Sequence, residues 1–236
     1  MRERESRHFN DESTSKANEL VMNTLLEKED EVITVVPGYQ KFIDIPRSIG
    51  CKVHEIELYE SDWQVDIESF EQYINSNTKM IILNNPSNPT GTEYSKQFLM
   101  RLIDLCRVND IYIFCDEVYR GLNDELSISD IYEKGISTSS LSKVFSLAGL
   151  RLGWVKANED VIHQINIRRD YSMISTGPLV DKLGLIALKH RDVLIDRAKS
   201  IILKNKAIVT EWLNCNPNFE CILPKGGYGV FSKIWF

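Results

Sequence analysis

The chain has 236 residues, 43% of them hydrophobic and 26% charged, the balance of a soluble globular protein with one large domain or one domain plus part of a second. Its formal charge of −6 excludes a general nucleic-acid surface, and no run reaches the length of a membrane span. Five dispersed cysteines without a C-x-x-C pair exclude a disulfide frame or zinc site and read as reduced thiols of a cytoplasmic protein, with no metal expected.

Residues 1 to 13 are polar and unpatterned, lack the apolar core of a signal peptide and are expected to form a loose terminal segment. Thr14 or Ser15 then offers an N-cap to a helix in which Leu20, Val21, Thr24 and Leu25 recur at helical spacing. Hydroxyls and free amides at such a start suit an anion, although most Ser/Thr caps hold none. Glu31–Val36 is a near-continuous apolar run, as in a strand covered on both faces. Pro37-Gly38-Tyr39 ends it, and a helix to about Ile49 leads to a second strand over 52–58. Residues 67–74 read as a short amphipathic helix. Residues 80–83 form a third strand, stopped by Asn84-Asn-Pro-Ser-Asn-Pro-Thr-Gly91.

The helix predicted over 94–108 places Phe98, Leu99, Leu102, Ile103 and Cys106 on one face. Residues 111–115 are a fourth strand, ending in Asp116-Glu-Val-Tyr-Arg120. A fifth strand lies near 135–138 and a sixth candidate near 153–156. Beyond Asp160 the pattern is helical. Leu179, Val180, Leu183, Ile186 and Ala187 share a face up to His190, and 191–213 form one long helix. Residues 221–231 read as two short strands about a glycine bend.

Strands alternating with helices imply an α/β fold, a three-layer α/β/α arrangement around a mostly parallel sheet. Residues 1–190 would form the large domain, and 191–236 a linking helix with part of a small one. Ligands of such sheets sit beyond the carboxyl ends of the strands. Tyr39, Asn88, Asp116, Tyr119 and residues 140–143 all lie just past strand ends, so one rim would collect them.

Those residue types suit a particular chemistry. Lys143, fixed and desolvated past a strand end, would present a neutral amine able to form a Schiff base with an aldehyde such as pyridoxal phosphate. A lysine near a glycine is otherwise an ordinary surface residue. Ser140, Ser142 and Arg151 suit a phosphate. Asp116 could keep a pyridine nitrogen protonated, or could cap a helix. Asn88 and Tyr119 could hydrogen-bond a phenolic oxygen, although Asn88 also fits plain turn chemistry. Tyr39 could stack on a ring or simply pack, with Val118 covering the other face.

Asn84-Asn-Pro-Ser-Asn-Pro-Thr-Gly91, Asp116-Glu-Val-Tyr-Arg120 and the run from Ser140-Leu-Ser-Lys143 through Gly149-Leu-Arg-Leu-Gly-Trp154 resemble the class I/II aminotransferases, which are fold-type I pyridoxal-phosphate enzymes. The resemblance runs from about Thr14 to the end. It implies pyridoxal 5'-phosphate as cofactor, residues 1–190 as the domain that binds it, and amino-group transfer between an amino acid and a 2-oxo acid. It implies Lys143 as Schiff-base lysine and proton shuttle, Asp116 as partner of the pyridine nitrogen, and Asn88 with Tyr119 on the phenolic oxygen. Tyr39 corresponds to the stacking aromatic, Ser140 and Arg151 to phosphate ligands, and Thr14 and Ser15 to the phosphate-binding helix start. A homodimer is implied, with no nucleic acid and no membrane as partners.

Two departures stand out. Ser13 occupies the place where the family usually has a glycine in the first phosphate loop, and its Cβ could hinder close backbone approach. No counterpart of the small-domain arginine that grips the substrate carboxylate occurs before Phe236. The sequence therefore reads as a large cofactor domain with both ends of the small domain cut away. A carbon–sulfur lyase or decarboxylase on the same fold, or a non-catalytic cofactor-domain protein, are the alternatives.

Overall fold

The computed structural model of the chain describes residues 7–11, 14–122, 126–173, 175–223 and 232–234. Apolar runs that point to both faces at once force a central sheet covered on two sides. Seven strands form it: β1 (Arg7–Asp11), β2 (Glu31–Val36), β3 (Lys52–Glu57), β4 (Thr78–Asn84), β5 (Tyr112–Asp116), β6 (Gly135–Ser140) and β7 (Gly153–Ala157). Their spatial order is β1-β7-β6-β5-β4-β2-β3. The pairs from β3 through β6 are parallel, whereas β7 runs antiparallel to both β6 and β1.

Alternate residues serve the two faces. Val32, Met80, Ile82, Phe114 and Ile136 point to one, where they meet helices α1 (Thr14–Leu25), α2 (Lys41–Ile49) and later α6 (Glu159–Arg169). Ile33, Val35, Ile81, Leu83 and Ile113 point to the other, against α4 (Lys96–Val108), with Phe70 of the short α3 (Glu68–Glu71) in the same cluster. This is the predicted three-layer arrangement. Beyond α5 (Ile128–Ile131), two further helices, α7 (Pro178–Lys189) and α8 (Arg191–Cys215), bring Ala187 and Ala198 against Leu141, Val144 and Leu152 of the lysine segment. The strands β8 (Phe219–Cys221) and β9 (Ser232–Ile234) pair antiparallel, and the glycine bend expected between them lies outside the described residues.

Local chemistry sets the boundaries. Ser95 caps α4 by accepting the Phe98 amide at 3.1 Å, and Asn158 caps α6 by accepting that of Val161 at 2.9 Å. Gly50 ends α2 at φ +104°, a left-handed conformation suited to glycine, and its N–H returns to the carbonyls of Pro46 and Arg47. Gly135 opens β6 where a Cβ would lie 2.3 Å from the Ile128 carbonyl oxygen, so α5 packs onto the strand through a bare backbone.

Three expectations need correction. The start of the chain is not wholly loose, because Arg7–Asp11 pairs with β7 from Arg7↔Ala157 to Asp11↔Gly153. The expected helix over 67–74 is α-helical only over Glu68–Glu71; the amides of Tyr73 and Ile74 bond three residues back and tighten the rest into turns. Helix α1 begins at Thr14 itself, which makes Thr14 a helical residue rather than a cap.

Far from the carboxyl ends of the strands, Glu31 accepts from His54 at 2.5 Å and from Asn75 at 2.9 Å, with Lys52 at 3.4 Å. These bonds, His54 foremost, hold its carboxyl at about 2 instead of 4.5. The stabilisation is therefore complete above pH 4.5 and is lost as pH falls through about 2. Glu31→Gln should lower unfolding free energy at neutral pH by about 3 kcal/mol, and by less than half of that near pH 3, in urea titrations. A pH-independent difference would assign the loss to packing instead.

Candidate functional site

The parallel strands end together, and their last residues and first turns define a cavity of about 270 Å³. Asn84, Asp116 and Ser140 are the final residues of β4, β5 and β6. Tyr39 comes from the turn after β2, and Thr14 and Ser15 from the start of α1. Together with Asn88, Tyr119, Lys143 and Arg151 they line this cavity, so every candidate residue read from the sequence meets at one place. Val118 and Ala148 line it too.

Asp116 is only 4% exposed, and both carboxylate oxygens are held. Oδ1 accepts the Val118 amide at 3.0 Å, and Oδ2 accepts Asn18 Nδ2 at 2.6 Å. Burial raises its pKa to about 6, against the pull of Asn18, the Val118 amide and the charge of Lys143. Its carbonyl accepts Asn84 Nδ2 at 2.7 Å and the Asn85 amide at 3.0 Å. Asn84 Oδ1 in turn accepts the Asn88 amide at 2.7 Å, which ties the Asn-Pro turn to the strand bearing Asp116.

Tyr119 is half-buried, and burial, then the charge of Asp116, raises its hydroxyl pKa. Lys143 Nζ lies 5.9 Å from the Tyr119 ring centroid. The expectation of a desolvated Lys143 is overturned, because the residue is exposed. Leu141, Val144 and Phe145 around it are buried and anchor the segment, while the lysine itself lines the cavity open to solvent. Tyr39 is braced edge-on by Phe42 at 5.5 Å, which in turn meets Phe114.

The cavity lining also carries hydroxyls. The buried hydroxyl oxygens of Thr14 and Ser142 have no hydrogen-bond partner among the described residues. An unpaired buried hydroxyl is costly, so both suit an anionic ligand with acceptor oxygens. Ser15 Oγ accepts from Lys41 Nζ, a cation at this edge that the sequence reading missed. Ser140 Oγ accepts the Ser142 amide at 3.3 Å. Arg151 is exposed at φ +53°, with one guanidinium nitrogen 2.9 Å from the Ala148 carbonyl. Ser13 lies outside the described residues. Hydroxyls and Arg151 in the lining, Lys41 on Ser15 behind it, and a buried carboxylate fit a phosphorylated heteroaromatic ring carrying a protonated nitrogen.

Asn18, Thr138 and Glu117 also escaped the sequence reading. Asn18 sits among the apolar residues of α1, and a polar amide at a buried helical position was the one visible sign. Glu117 is 2% exposed, accepts the Ile128 amide at 2.8 Å and pairs with Arg120 at 2.8 Å, which pins the turn carrying Val118 and Tyr119. Burial lifts its pKa to about 7, against the opposing charge of Arg120.

The model of aminotransferase class I and II matches residues 12–234. An aspartate aminotransferase of Musicola paradisiaca is 27% identical over 91% of this chain and 56% of its own length. Human kynurenine–oxoglutarate transaminase 3 is 30% identical over 90% of this chain and 52% of its own. Among solved structures, a PLP-dependent aminotransferase from Streptococcus suis superposes with a TM-score of 0.91 at 37% identity, covering 96% of this chain and 62% of that one. The chain spans about half the length of the curated relatives it matches. Residues 12–234 carry the match from the first helix to the final strand pair, and the chain belongs to the aminotransferase class I and II family.

Proposed function

We propose that this chain holds pyridoxal 5'-phosphate and serves a pyridoxal-phosphate-dependent aminotransferase acting between an amino acid and a 2-oxo acid. The observation that carries the reading is the meeting of Asp116, Tyr119, Lys143 and the Thr14–Ser15 helix start around one cavity. When bound, the cofactor supplies an aldehyde for amines and an electron sink for the bond that breaks. Thr14, Ser15, Ser140 and Arg151 bind its phosphate. Asp116 holds a proton at the pyridine nitrogen. Asn88 and Tyr119 orient the phenolic oxygen, and Tyr39 and Val118 bracket the ring. Lys143 Nζ would be the amine that holds the cofactor's aldehyde and, as a free amine, would carry a proton at the substrate.

Residues 1–190 form the cofactor domain in this reading, with 191–236 leading into a smaller one, and the working unit is a homodimer. Cys51, Cys106 and Cys115 are buried and form no disulfide among the described residues, which supports a cytoplasmic setting. Among the described residues no helix is long and apolar enough to cross a membrane.

The test is covalent. Protein mixed with pyridoxal 5'-phosphate, reduced with borohydride and peptide-mapped should carry its adduct on Lys143. Labelling spread over surface lysines, or none in folded protein, would overturn the reading.

A further inference from the structure

Asn18 is fully buried in the second turn of α1, between Ala17 and Leu20 of the core. A primary amide there must be paired on both sides or it destabilises the fold. Thr138 Oγ1, equally buried in β6, donates to Asn18 Oδ1 at 2.5 Å. A hydroxyl donating to that atom fixes the amide the one way round that turns Nδ2 toward Asp116 Oδ2, at 2.6 Å. The reverse orientation would set the amide oxygen against a carboxylate. Thr14 stands four residues before Asn18 on the same helix and lines the cavity. One helix face thus carries both a free hydroxyl for the cavity and the clamp on Asp116.

We infer that Asn18, oriented by Thr138, is a positioning residue that fixes the Asp116 carboxylate at a set distance from the Thr14 end of α1, matching the site to a ligand with an anion at one end and a ring nitrogen at the other. The inference rests on the proposed cofactor role of the cavity and adds to it a device formed by residues outside the cavity wall. Asn18 touches neither ligand nor reacting atoms; it acts through Asp116. With the clamp removed, Asp116 keeps only the Val118 amide, and its carboxylate loses both its fixed direction and a donor that favours its charged form.

The experiment measures pyridoxal 5'-phosphate affinity by absorbance over a pH series in the wild type, Asn18→Leu, Thr138→Val and Thr138→Ser, with melting of each apo protein in parallel. Loss of a charge-assisted hydrogen bond should weaken binding about 10- to 100-fold in Asn18→Leu, and the pH at which binding is half-lost should rise. Thr138→Val frees the amide to turn over and should follow in the same direction. Thr138→Ser keeps the hydroxyl and should bind like the wild type. Wild-type affinity and pH profile in both Asn18→Leu and Thr138→Val would overturn the inference while leaving the cofactor reading intact. So would losses in Thr138→Ser equal to those in Thr138→Val, or losses that merely follow apo melting temperature. A folded wild type that binds no pyridoxal phosphate would overturn the cofactor reading, and this inference with it.

Discussion

Lys143→Ala protein, mixed with pyridoxal 5'-phosphate and reduced with borohydride, should yield no adduct in the peptide spanning β6 and the following turn. Lys143 is the amine that lines the cavity, beside Tyr119, and its exposure leaves it free to reach a ligand. The substitution removes little else. The segment is anchored by Leu141, Val144 and Phe145, so folding stability should change by no more than about 0.5 kcal/mol, as for other exposed sites. Any amino-group transfer should fall by about 10⁴-fold or more, because attachment and proton transfer leave with the same nitrogen. Lys41 and Lys16 lie beside the neighbouring surface near Arg151. An adduct persisting in the variant at either one would mean that the cavity holds the aldehyde in a different direction and that Lys143 is not its partner.

Asp116→Asn should release the cofactor and abolish transfer together. A neutral amide cannot balance a protonated ring nitrogen, and breaking one side of a buried charge pair costs about 3–5 kcal/mol, or roughly 10²- to 10⁴-fold in affinity. The wild type should show the same dependence through pH. The ionised carboxylate is the form that holds the protonated nitrogen, so affinity should weaken as pH falls through about 6. The apo protein responds in the opposite sense. A carboxyl raised from 3.8 to about 6 in the folded state gives stability that is fully present below 3.8 and lost as pH rises through 6. Affinity and apo melting temperature measured on one pH series check both signs. Unchanged turnover in Asp116→Asn would leave Asp116 as a turn-forming residue.

The sheet's centre was legible because β2, β4 and β5 are apolar runs buried on both faces, and β2 and β4 stop at Pro37 and Asn84. The ends of these strands, with the hydroxyl-rich run before Lys143, placed Asn88, Asp116 and Lys143 on one rim. The pairing of Arg7–Asp11 with β7 was hidden, since main-chain hydrogen bonds to an edge leave no apolar pattern in a polar segment. The exposure of Lys143 was hidden for another reason. A position past a strand end fixes the chain direction, whereas burial depends on α7 and α8, which pack under Leu141 and Leu152 and leave the lysine uncovered. Asn18 joins segments 98 and 120 residues apart, a separation no local pattern encodes. The family resemblance supplied the chemistry of the rim but was silent on the clamp behind it.

Those separations also bear on how the protein acquires its site. Helix α1 is made early in the chain, yet its Asn18 finds Thr138 and Asp116 only after β4, β5 and β6 have taken their places side by side. Contacts of such span are slow to form, because chain entropy is lost before they contribute. A partly assembled chain can therefore hold its helices and several strands and still have no place for a ligand. Whatever binds here selects completed molecules and draws the folding equilibrium toward them in proportion to its concentration, so supply of the ligand becomes a control on how much intact protein survives.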